Sequence, residues 1–141
     1  MSTVGTAVNA IAVHLAATFP AAEVIKGNRT GVSRDKDRLA VFNAGFPVTR
    51  PDLAFSNPTI TVRYFVSRSK QPDSEATPDP DDLYDAQENL LAAFQGRDVT
   101  GSFAPNFACV AFETTIDDTP EEWRVDLTIT AYTFNPAKHA A

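Results

Sequence analysis

Cysteine is almost missing from this chain: Cys109 is the only one in 141 residues. An internal disulfide is therefore impossible, and a cysteine-rich zinc site is excluded. Histidine stops at two, His14 and His139, one in an apolar stretch and one near the C-terminus, with no acidic or thiol partners spaced to join them in a metal or catalytic site. No apolar run approaches the roughly 18 residues of a membrane span, and Met1-Ser2-Thr3 lacks the basic start of a signal peptide. These absences predict an unanchored, soluble protein of a reducing interior. What is present is ordinary for a globular domain, 43% apolar and 21% charged residues, so wholesale disorder is not expected and a single domain spanning 1–141 has enough chain for one core.

Charge is distributed unevenly. Residues 1–20 carry none, residues 21–70 carry nine of the twelve basic side chains for a net of +5, and residues 71–141 carry fourteen acids for a net of −11. Either folding interleaves the two halves and cancels the asymmetry, or it leaves basic and acidic surfaces that let one copy dock on the next.

Periodicity predicts the elements. Val4, Val8, Ile11, Leu15 and Phe19 fall on one face of an alanine-rich helix that Ser2 or Thr3 can cap and Pro20 ends. Short strands are expected at 22–27 and 38–43, joined by a polar segment too long for a tight hairpin, and a clean alternation predicts a strand at 59–68. After the proline-rich stretch 69–80 comes a helix at about 81–95. Asp79 or Asp81 is its expected cap, Leu83, Ala86, Leu90, Ala93 and Phe94 its buried stripe, and Gly96 its stop. Alternating runs at 107–116 and 123–134 predict a closing hairpin that turns Trp123, Val125, Leu127, Ile129 and Ala131 inward. The order α-β-β-β-α-β-β describes an α+β domain, a mostly antiparallel sheet packed with two helices.

Residues with chemistry form no catalytic or cofactor-binding constellation. His14 reads as a helix-surface residue and Cys109 as a small buried hydrophobe within a strand. Gly27-Asn28-Arg29-Thr30-Gly31 lacks the phosphate-loop pattern, and the acidic groups at Asp79, Asp81, Asp82 and at Asp117, Asp118, Glu121, Glu122 lack the spacing of a calcium loop. Arg29, Arg34, Lys36 and Arg38 are the best basic cluster. They lie in a polar loop without the interleaved aromatics of a single-strand reader, so they are expected to contact protein.

The amphipathic helix ending at Thr18-Phe19-Pro20, the strand-loop-strand around Arg29 to Arg38, the acidic run Asp81-Asp82-Leu83-Tyr84 after a proline-rich loop, and the final hairpin together resemble the tail terminator (tail completion) proteins of long-tailed bacteriophages such as siphoviruses. The resemblance covers nearly the whole chain and is one of architecture. It implies a virion structural protein, not an enzyme and without a cofactor. Such a protein forms a homo-hexameric ring at the head-proximal end of the tail, after assembly in the host cytoplasm. Its implied partners are itself, the major tail tube protein and the head-completion or connector protein, while genome DNA passes through the channel without sequence-specific binding. A head-completion (neck) protein of the same virion, and a small enzymatic or ligand-binding α+β domain, are the alternatives. Metal analysis of the purified protein is expected to find no stoichiometric zinc; one tightly held zinc ion per chain would contradict this reading.

Overall fold

The computed structural model describes residues 3–27, 36–45, 55–67, 80–97, 101–119 and 122–134. Two helices, α1 (Thr3–Thr18) and α2 (Asp81–Ala93), accompany six strands: β1 (Glu23–Lys26), β2 (Arg38–Gly45), β3 (Phe55–Ser56), β4 (Thr59–Phe65), β5 (Phe107–Asp117) and β6 (Arg124–Phe134). The expected α+β class and element order hold, with the two-residue β3 as an addition. No described helix is long and apolar enough to cross a membrane.

The strands form one sheet in the order β1-β2-β4-β6, with β5 along the other side of β6 and β3 extending the β4 side. All pairs are antiparallel except β1 with β2. The parallel sense puts the end of β1 and the start of β2 at opposite ends of the pair, so the polar segment between them is a crossover connection. Gly27 begins it at φ +123°, a conformation closed to side chains with a Cβ, and its amide donates to the Val41 carbonyl at 2.8 Å.

Both helices lie on one face of the sheet. Val4, Ala7, Ile11 and Leu15 of α1 and Leu83, Ala86, Leu90 and Ala93 of α2 pack with Leu39, Val41, Ile60, Val62, Val125, Leu127, Ile129 and Ala131. The inward set expected of the last strand is buried in full, Trp123 included. Central β4 is also buried on its other face, where Thr61 and Phe65 are nearly inaccessible, as is Ala40 beside it. That face is therefore only partly polar.

Two local expectations change. At the start of α2 the expected cap Asp79 lies outside the described residues and the N-cap position is taken by Pro80, which, already helical at φ −64° and ψ −16°, offers its carbonyl to the amides of Leu83 and Tyr84. A proline with preset φ suits the start of the turn, and Asp81 and Asp82 contribute charge at the positive end of the helix. The even alternation of 107–116 is broken by a bulge between Cys109 and Ala111. The extra residue shifts the phase, so Phe107 and Cys109 on one side of it and Phe112, Thr114 and Ile116 on the other share the helix face, while Val110 is left 64% exposed. At the far end of α2, Gly96 at φ +77° closes the terminal turn as expected.

Asp37 fastens the crossover. Its carbonyl accepts from the Glu23 amide at 2.9 Å, and its carboxylate accepts from the Ser67 amide at 2.9 Å and from the Tyr64 hydroxyl. Burial, and then the Asp37 carboxylate that holds the phenol proton, push Tyr64 far above the ordinary tyrosine value. Replacing Tyr64 with Phe is expected to lower stability by about 1.5–3 kcal/mol, the usual worth of a hydrogen bond to a charged group. The raised value favours the protonated phenol in the folded state. Its stabilisation is thus complete below pH 10.0, the unperturbed value, and declines above it as the unfolded chain ionises first. Denaturant titrations of both proteins across pH should show a constant gap that narrows in alkali.

Candidate interaction surface

The strand order decides the question raised by the charge distribution. Strands β1 to β4 come from the basic half and β5 and β6 from the acidic half, and the sheet lays them out as β1-β2-β4 and then β6-β5. The halves meet at the β4–β6 pair and are not interleaved. Lys26, Lys36 and Arg38, with Glu23 and Asp37 among them, lie toward one edge of the sheet, and Glu113, Asp117 and Asp118 toward the other.

Of the four basic residues expected to contact a partner, Arg29 and Arg34 lie outside the described residues. Lys36 is exposed just before β2. Arg38, the first residue of β2, is half-buried and donates to the Glu23 carboxylate through Nε at 3.3 Å and Nη2 at 3.2 Å. Glu23 and Arg38 are directly opposite each other in the parallel register. A partly solvent-exposed pair of this kind contributes about 1 kcal/mol, so it can be exchanged for a partner's carboxylate at modest cost. Sequence reading passed over Asp37, between Lys36 and Arg38, because an acid within a basic run looks like simple dilution. Its role depends on Tyr64 and Ser67, which are distant in the chain.

The helix-free face carries an ion network across the centre of the sheet. Arg124 donates to Asp126 at 3.0 Å and to Glu122, and approaches Asp117 to 3.6 Å. Arg63 approaches Asp126 to 3.5 Å and lies 5.2 Å over the Phe42 ring. Burial works against the charge of Arg124, but Asp126 and Glu122 outweigh it and hold the guanidinium more firmly protonated. The hydroxyl and amide of Thr119 lower the titration of Asp117, with Arg124 adding a smaller share. These acids are therefore partly neutralised within the subunit, and the exposed Glu113 and Asp118 carry more of the outward negative charge.

On the helix face His14 is a tertiary contact, which corrects its reading as a surface residue. Its Nε2 donates to the Ala93 carbonyl, one of the groups left unpaired at the end of α2. Its ring lies 5.9 Å from those of both Phe94 and Phe103. Helical periodicity placed His14 beside the apolar stripe, but only the position of α2 supplies the acceptor. Cys109 is buried, as expected. Among the described residues no three acidic, histidine or cysteine side chains are grouped to hold a metal ion.

Beyond this aromatic cluster an open groove of about 560 Å³ runs between the end of α2 and the bulge of β5. Leu91, Ala92, Phe94, Val110, Ala111 and Phe112 give it apolar walls, with Gln95 and Gly96 completing the lining. Leu91 and Val110 are 41% and 64% exposed. The groove has the character of a contact surface, because polar groups do not converge in it as they do in a substrate pocket.

Compared with protein-family models and with curated protein sequences, the chain matches none. Replacing Thr119 with Val should move the titration of Asp117 back toward the ordinary carboxylate range, because the hydroxyl is the largest of the groups stabilising its charge. Carboxyl-carbon NMR across acidic pH reads the shift. The Asp117 contribution to stability, present in neutral solution and lost as pH falls through the lowered value, should then disappear at higher pH than in the parent.

Proposed function

We propose that this protein is a phage tail terminator: a structural subunit that forms a homo-hexameric ring on the head-proximal end of the tail tube, stops tube growth and presents a surface to the head-completion or connector protein. The observation that carries the reading is the sorting of charge to opposite edges of one sheet. A closed ring needs two different, complementary surfaces on every copy, and an edge drawn from the basic half of the chain opposite an edge drawn from the acidic half supplies two such surfaces. The α+β architecture, which the sequence shares in outline with tail terminators, supports it as well.

Two features weigh against the alternatives. The opening helix α1 is docked on its own sheet through Val4, Ala7, Ile11 and Leu15, whereas a neck protein would use such a helix outwardly. The groove beside α2 is open and apolar, which suits protein contact better than catalysis on a small substrate. The acidic excess of the chain also suits a channel that passes DNA without retaining it.

Negative-stain microscopy and analytical ultracentrifugation of the protein with tube protein should show rings on tube ends. Association should weaken as salt rises, since exposed charges are screened beyond about 8–10 Å at ordinary ionic strength. Changing Arg29, Arg34, Lys36 and Arg38 together to Ser should shift stability by only about 1 kcal/mol, the scale of a surface ion pair such as Arg38 with Glu23. The same variant should impair ring assembly and give overlong or headless tails. Normal tails and full infectivity from that variant would remove the cluster from the mechanism, and tails of normal length in the absence of the protein would overturn the function.

A further inference from the structure

Strand β5 runs for eleven residues with β6 as its only strand partner among the described residues, and β1 is likewise paired only with β2. These are the two lateral edges of the sheet. An edge strand presents backbone donors and acceptors ready for another strand, and proteins that do not use such an edge usually shorten or cover it. Edge β1 has been kept to four residues. Edge β5 is long, its bulge turns Val110 outward, and beside it the groove and Leu91 leave apolar surface uncovered.

We propose that neighbouring copies of this chain join edge to edge, the β5 edge of one copy adding to the β1 edge of the next, so that the sheet continues from subunit to subunit. The inference rests on the ring reading above and names the surface through which the ring closes. Three observations point to a second copy as the occupant, held in this orientation.

Charge comes first. The β5 edge carries the exposed acids Glu113 and Asp118, while at the β1 edge Lys26 and Lys36 stand beside a Glu23 whose charge is already met by Arg38. Placing β5 against β5 across a two-fold axis would set acids against acids, which cross-strand pairing disfavours. Strand sense is the second. Taking β2 as up, β4 runs down, β6 up and β5 down, while β1 runs up with β2. Rotation about a ring axis along the strands preserves sense, so β5 meets the neighbour's β1 antiparallel, the more stable pairing. The third is coverage. Helix α1 lies against its own β1, to which Asn9 is tied by the Lys26 ammonium at 2.7 Å. Continuing the sheet with all helices on one side brings the neighbour's α1 beside the end of α2, where Leu91 and Val110 await cover. Main-chain bonding along the edge supplies affinity, and the apolar groove supplies selectivity, as in other strand additions.

Glu113 and Glu23 both belong to the helix-free face, pairing with Thr128 and Arg38 in register, and both are exposed. They can therefore report on the joint from the same side. Full-length Glu113→Cys and Glu23→Cys proteins, with buried Cys109 retained, are treated with a short bis-maleimide at low salt and high protein concentration, separately and mixed. The mixture should give a cross-linked dimer, each variant alone should give none, and the protein carrying both changes should give a ladder of larger species. Val110→Glu and, independently, Leu91→Glu should abolish the cross-link while leaving Tm unchanged. A cross-linked dimer from Glu113→Cys alone would overturn the proposal in favour of a two-fold contact. Rings in the ultracentrifuge without any cross-link would overturn the edge joint and leave the ring reading standing. A chain that stays monomeric with and without tube protein would overturn both.

Discussion

Val62 and Leu127 face each other across the β4–β6 pair, between Ile60 with Ile129 on one side and Tyr64 with Val125 on the other. These residues are the centre of the core, and both helices are laid over them. The pair is also the seam between the two halves of the chain. Closing a contact so distant in sequence carries a loop-entropy cost, offset here by burying a continuous apolar row at about 25 cal/mol per Å² of apolar surface. Around the seam, β2 and β1 add on the β4 side and β5 on the β6 side. The two halves of the chain, unequal in charge, thus lie on either side of the hydrophobic seam.

The polar groups of the described residues serve this arrangement at its margins. Asp37 ties the start of β2 to β1 through the Glu23 amide and to the end of β4 through Tyr64 and Ser67, holding three strand ends with one residue. His14 performs a similar service between the helices by taking up the Ala93 carbonyl at the end of α2. On the helix-free face Arg124 gathers Asp117, Glu122 and Asp126, which allows an acidic hairpin to sit beside the seam without strong self-repulsion. These contacts fix the geometry of the sheet where the core ends.

Much of the fold was legible because it follows from short-range periodicity. The buried stripe of α2, the inward set from Trp123 to Ala131 and the helix stops at Pro20 and Gly96 all appear where residue spacing put them. The bulge at Val110 was not legible, since an unbroken run of alternating residues contains no mark of a phase shift that only the partner strand imposes. The surface was legible only as composition. Nine basic residues in one stretch and fourteen acids in another were visible, but Arg38 read as a member of a basic cluster and Asp37 drew no notice, when the fold gives one to Glu23 and the other to Tyr64 and Ser67.

The sequence by itself determined the number and kind of the main elements, the faces they bury and the unequal charge of the two halves, because each of these is a property of residues near one another in the chain. Tertiary structure alone decided the parallel sense of β1 and β2, the neighbours of β6, the acceptor for His14 and the placing of the two halves of the chain at opposite edges of the sheet. The physical reason is that strand order and sense are selected by which apolar faces can be buried together at long range, and no local period records that choice.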